Sequence, residues 1–126
     1  MIGIGPFIPH HDTPFKNEPA GSVELTLVLL AVLRLLFPHV LLPATTALGT
    51  LAPGGRLLGI RTGANVIMPN LSPQNVRGKY LLYDNKLHTG AEAAEALNEL
   101  QREVASIGYR IVSARGDYTE EPWTQG

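Results

Sequence analysis

Gly3-Ile4-Gly5-Pro6-Phe7-Ile8-Pro9-His10-His11-Asp12-Thr13-Pro14 is the stretch on which the fold of this chain turns. An apolar run punctuated by glycine and proline reads as one buried strand emptying into a rigid loop. A buried strand needs backbone partners on both edges, and this run has no structure ahead of it. The expectation is a chain that forms the back part of something larger.

Beyond this stretch, strand-like and helix-like segments alternate. Ser22 is a good N-cap, and Val23 to Phe37 is almost wholly apolar until Pro38 stops it. Leu25, Leu29, Val32, Leu33 and Leu36 fall on one helical face, while Leu27, Leu30 and Leu35 make the other side apolar too. At about 15 residues, interrupted by Glu24, Thr26 and Arg34, it is short of the ~20 that span a bilayer, so it reads as a helix buried on more than one side. Val40 to Thr50 is a short β-prone run ending in small and hydroxyl residues. Pro53-Gly54-Gly55 opens a weak helix, Arg56 to Thr62, closed by Gly63. Asn65 to Asn70 is another apolar strand with a polar end, and Ser72-Pro73 begins a helix through about Tyr80. Such alternation with short connections implies a parallel sheet covered by helices.

The last third differs. Thr89-Gly90-Ala91-Glu92 matches a capping box, and Ala93, Leu97, Leu100, Val104 and Ile107 form one apolar stripe up to Gly108. Tyr109 to Ala114 reads as a final short strand and Arg115 to Gly126 as a polar tail. The division expected is therefore a βα part over 1–85 and a C-terminal helix and tail over 86–126.

Composition narrows the function. Of 126 residues 44% are hydrophobic and 17% charged, which describes a globular chain. A net charge of -1 gives no electrostatic pull toward nucleic acid or an anionic membrane. There are no cysteines, which excludes disulfides, a thiolate nucleophile and cysteine-ligated zinc or iron–sulfur clusters within this chain. No basic segment precedes an apolar one at the start, so the default compartment is cytoplasmic.

Few residues announce chemistry. His10-His11-Asp12 has metal-ligand residue types, but adjacent side chains on an extended segment point opposite ways and no third ligand sits at a typical spacing. They read as loop polarity at a strand end, and His39 and His88 are isolated. Gly3-Ile4-Gly5 is no dinucleotide loop, because Pro6 follows and Ile8 stands where the third glycine belongs. The better signal is positional: His10 to Thr13, Thr45-Thr46 and Met68 to Asn70 each end an expected parallel strand, the edge where α/β folds hold ligands. Thr45 and Thr46 hydroxyls can donate to an anion or carboxylate, and Met68 offers a soft apolar contact.

Gly3 to His10 followed by Asp12-Thr13-Pro14, then Pro43-Ala44-Thr45-Thr46-Ala47-Leu48-Gly49-Thr50, then Gly63-Ala64-Asn65-Val66-Ile67-Met68-Pro69-Asn70 resemble, in order and spacing, the C-terminal part of one family. It is the HydE-type FeFe-hydrogenase maturase family of the radical S-adenosylmethionine (SAM) superfamily, related to biotin synthase. Tyr80-Leu81-Leu82-Tyr83, Ser106 to Tyr109 and Arg115-Gly116-Asp117 are similar to the family's end as well.

The resemblance implies an α/β fold, a partial (β/α)8 barrel holding about the last three βα units plus a C-terminal helical extension. In the family SAM is cleaved reductively to a 5′-deoxyadenosyl radical that acts on a precursor of the di-iron cofactor. Carried over by position, Met1, Ile8, Tyr80 and Leu82 would lie along the SAM side. Thr45, Thr46 and Met68, with Tyr83 nearby, would line the pocket for a small sulfur-containing substrate. The C-x3-C-x2-C loop that holds the family's 4Fe–4S cluster is absent from this chain. The positions of three accessory cysteines found in some members correspond to His88, Ala96 and Glu99, and His11 replaces the proline usual after His10. The chain alone is thus expected to hold neither SAM nor cluster and to need the missing N-terminal barrel half or self-association. The alternative is a non-catalytic remnant, or a module that binds a small ligand or a partner.

Overall fold

The computed structural model describes residues 1–69, 93–114 and 116. Helices α1 (Val23–Leu36), α2 (Thr46–Leu51), α3 (Gly55–Thr62) and α4 (Ala93–Ser106) accompany two short strands, β1 (Pro43–Ala44) and β2 (Val66–Ile67). The helix expected over 72–80 and the capping box at 89–92 lie outside the described residues.

The strands pair in parallel, Pro43 with Val66 and Ala44 with Ile67, and α2 and α3 form the crossover between them. A third segment runs alongside. Ile2 donates its N–H to the Leu41 carbonyl (2.9 Å), whereas the Leu42 carbonyl accepts from Asn65 (2.9 Å) and Val66 (3.1 Å). Successive carbonyls of an extended chain point to opposite edges, so residues 2–5 flank β1 on the side away from β2. Gly3 lies by Pro43 and Gly5 by Thr45, which makes this segment parallel as well. The expected α/β alternation with parallel pairing is present. A closed barrel is not seen: among the described residues the ladder is two residues deep.

Two small cores hold the layers together. Leu30 of α1, Leu42 and Leu48 of α2 are fully buried, with Ile2, Ile4, Val23, Leu27, Leu33 and Val40 packed around them. Ala44, Ile60, Ala64, Leu100 and Val104 form the second, so α4 packs onto β1 and α3. The helix ends follow their sequence signals. The Ser22 hydroxyl accepts the Leu25 N–H at 3.1 Å, with Glu24 in the positive first turn. Gly63, at φ +131°, closes α3 in a conformation that only glycine adopts readily.

Four expectations are corrected. Residues 3–9 form no hydrogen-bonded strand, because Pro6 and Pro9 lack the N–H a ladder requires. Nor is the run buried on both faces: Gly3, Gly5 and Phe7 are exposed while Ile2 and Ile4 turn inward. The run read as β over 40–50 turns helical at Thr46, since the helix carries Leu48 into the core between Leu30 and Leu42. The helix read as buried on more than one side is buried on one: Thr26 and Leu30 are inside, and Leu25, Val28, Leu29, Val32, Leu35 and Leu36 are exposed. No strand forms over 109–114, where only Ile111 turns toward a core. The chain leaves α4 through Gly108 at φ +84°, and the Tyr109 N–H returns to the Val104 carbonyl.

Candidate functional site

One end of the parallel array gathers several of the expected site residues. Thr45 and Met68 each follow a paired residue, Ala44 and Ile67, so the register sets them side by side at the C-terminal edge. Ala44 and Ile67 pack against the helices in the second core. Side chains alternate along a strand, so Thr45 and Met68 belong to the face opposite that core. Thr46 begins α2 at the same edge.

Thr45 is the most informative of these. Its backbone is extended, and it precedes α2 without capping it through its side chain. Its Oγ1 is buried, and among the described residues it has no hydrogen-bond partner. A buried hydroxyl left unpaired costs roughly 1–3 kcal/mol, so the fold tolerates a liability at this point. Close approach of the neighbouring segment depends on Gly5, whose missing side chain leaves room for the threonine. Met68 is exposed at 55% among the described residues.

The SAM-side residues are less unified. Met1 shares the face of Thr45 and Met68 by alternation with Ile2 and Ile4, but it stands at the N-terminal end of the array, away from Thr45. Ile8 is half-buried, at the neck of a loop that the Gly21 N–H closes by donating to the Phe7 carbonyl at 2.8 Å. Tyr80, Leu82 and Tyr83, like His88, lie outside the described residues.

His10, His11 and Asp12 are not on an extended segment, which corrects the reason given for setting them aside. The chain turns at His11, the two imidazoles stack at 4.4 Å, and the three residues' ligand atoms come within 4.8 Å of one another. Rings lying 20° from parallel do not aim two nitrogens at one point, and the His10 Nδ1 already accepts the Asp12 N–H. The arrangement is a polar turn whose Thr13 hydroxyl and N–H both donate to the His10 carbonyl. Beside it, Phe7, Phe15, Glu18 and Pro19 line an open hollow of about 430 Å³.

Two positioning residues were missed by sequence reasoning. Asn65 accepts the Leu42 N–H on its Oδ1 at 2.8 Å while its own N–H donates to the Leu42 carbonyl, so one side chain extends the ladder that sets the Thr45–Met68 register. Arg34 donates from Nε to the Gly63 carbonyl at 2.9 Å and from a terminal nitrogen to the Pro38 carbonyl at 2.7 Å, tying α1 to the turn that leads into β2. Burial lowers its pKa from the usual arginine value. An asparagine opening a strand and a lone arginine in an apolar helix were the available signals.

Comparison with known proteins gives the arrangement a relative. Over 87 residues, 69% of this chain, it is 55% identical to the [FeFe] hydrogenase maturase subunit HydE of Thermotoga maritima. The chain is related to the HydE-type maturases. It is also 29% and 28% identical, over 111 residues in each case, to the 3-methylornithine synthases of Methanosarcina barkeri and Methanosarcina acetivorans. It spans about a quarter of the length of these relatives, 25% of HydE and 28% of each synthase. No family model matches. Among the described residues no helix is long and apolar enough to cross a membrane.

Proposed function

We propose that this chain is the part of a HydE-type maturase that supplies one wall of the pocket for SAM and a small sulfur-containing substrate, within a (β/α)8 barrel completed by the remainder of such a polypeptide. The observation that carries the reading is the buried Thr45 hydroxyl, without a partner among the described residues and set beside Met68 on the face opposite the core, at the end where parallel α/β folds bind ligands.

The residues fit the two groups unequally. With no cysteine the chain offers no thiolate to a 4Fe–4S cluster, so the cluster belongs to the complementary part and no step is derived through it here. A SAM or substrate carboxylate suits Thr45, whose hydroxyl gains in that contact the hydrogen bond it lacks. Bound SAM would supply the radical chemistry. Thr45 and Thr46 would orient an anionic group, Met68 and Tyr83 would pack against the substrate, and Met1, Ile8, Tyr80 and Leu82 would exclude water along the SAM side. A cytoplasmic setting fits this reading.

A chimera tests it. The aligned stretch of full-length Thermotoga maritima HydE is replaced by that of this chain, the clusters are reconstituted, and reductive SAM cleavage is measured. Cleavage that falls at least tenfold with Thr45→Val is expected. A folded, cluster-loaded chimera that does not cleave SAM, or one indifferent to Thr45→Val, overturns the reading.

A further inference from the structure

The glycine at position 5 is not required by its backbone. Its φ lies outside the left-handed region, unlike Gly54, Gly63, Gly108 and Gly116. What matters is the missing side chain. Among the described residues, the three atoms nearest to a β-carbon built there all belong to Thr45: Oγ1, Cγ2 and, at 3.4 Å, Cβ. Gly3, on the same segment and the same face, differs. A β-carbon there would stand 3.8 Å from the Pro43 ring, an ordinary contact.

The closest of the three atoms is the hydroxyl oxygen, at 2.8 Å. A carbon that near is relieved in one of two ways. Thr45 turns about χ1, and a staggered turn of about 120° takes Oγ1 out of its present place. Alternatively, residues 2–5 part from β1 and the edge widens around the hydroxyl. Either movement shifts the oxygen relative to that edge. Nothing polar opposes it, because Oγ1 has no hydrogen-bond partner among the described residues. Packing alone fixes the oxygen, and Gly5 borders it.

We propose that Gly5 is a positioning residue: by lacking a side chain it keeps the Thr45 hydroxyl placed to donate to a ligand carboxylate. This role rests on the reading of Thr45 as a ligand contact and extends the site to a residue that acts only through Thr45.

Ligand affinity separates this role from a structural one. The chimera with full-length Thermotoga maritima HydE is made with Gly5→Ala, Thr45→Val, both together, and Gly3→Ala. Dissociation constants are measured for SAM and for (methylthio)acetate, a probe carrying the carboxylate and thioether of a small sulfur-containing substrate. Thr45→Val identifies which of the two carboxylates the hydroxyl holds. Gly5→Ala should weaken that same ligand at least fivefold and leave the other within twofold. The double variant should bind no more than twofold worse than Thr45→Val alone, since the hydroxyl that Gly5 places is already gone. Gly3→Ala should bind as the unsubstituted chimera does. If Gly5→Ala does not fold, Thr45→Ser is compared with and without it, because the single γ-atom of serine can turn aside, and the same fivefold loss is expected. Equal weakening of both ligands, full additivity in the double variant, an equal loss with Gly3→Ala, or affinity that falls with Thr45→Val but not with Gly5→Ala overturns the proposal while the reading of Thr45 stands. Affinities for both ligands indifferent to Thr45→Val overturn the two together.

Discussion

Gly5 lies so close against Thr45 that a β-carbon on it would stand 2.8 Å from the Thr45 Oγ1 and 3.2 Å from its Cγ2. The first parallel segment thus reaches the candidate site only because one residue has no side chain. Gly5→Ala should cost about 1–3 kcal/mol by forcing the two segments apart. In the Gly5→Ala, Thr45→Ala double variant the clashing atoms are gone, so part of that loss should return. Urea unfolding of the four chains of this cycle reads the coupling, and strict additivity would show that the approach is not as close as described.

Thr45→Val separates stability from function. The substitution keeps the shape of the side chain and removes a buried hydroxyl that has no partner among the described residues. Unfolding by urea should show the free chain stabilised by about 1 kcal/mol, while the chimera that cleaves SAM loses activity. Destabilisation of the free chain would mean that the hydroxyl is satisfied within the fold.

Arg34 bridges the Gly63 and Pro38 carbonyls. Arg34→Met should lower stability by about 2 kcal/mol, and Arg34→Lys should restore only part of it, because an ammonium cannot reproduce the planar fork. Burial lowers the folded-state pKa, so the folded chain binds fewer protons than the unfolded one only between the two values, and stability rises with pH only there. That window is strongly alkaline. Between about pH 5 and 9 the native and Arg34→Met stability curves should run parallel, which chemical denaturation across that range checks.

Asn65→Ala should leave the Leu42 N–H, on a residue with no exposed surface, without its 2.8 Å acceptor. A loss of about 1–3 kcal/mol is expected, with faster amide exchange at Leu42 and Val66. Unchanged exchange at both amides would show that the Asn65 side chain does not support the register.

Much of this was legible in the residue pattern. Ser22 and Pro38 marked the ends of α1, Gly63 closed α3, and the Leu100–Val104 stripe placed α4, because caps, special backbone angles and helical periodicity are local effects. The Pro43–Thr50 and Gly63–Asn70 motifs pointed to the maturase relatives that the comparison then found. Three features were decided elsewhere. Thr46–Leu51 is helical because Leu48 is drawn between Leu30 and Leu42. Residues 3–9 stay unladdered because Pro6 and Pro9 have no hydrogen to give. The exposed half of α1 is as apolar as its buried half, so no periodicity tells them apart. The sequence by itself determined where α1, α3 and α4 lie, the lack of thiolate ligands and the family resemblance. Tertiary structure alone decided which face of α1 meets the core and that Gly5, Thr45 and Met68 share one edge, because both depend on contacts between residues far apart in the chain.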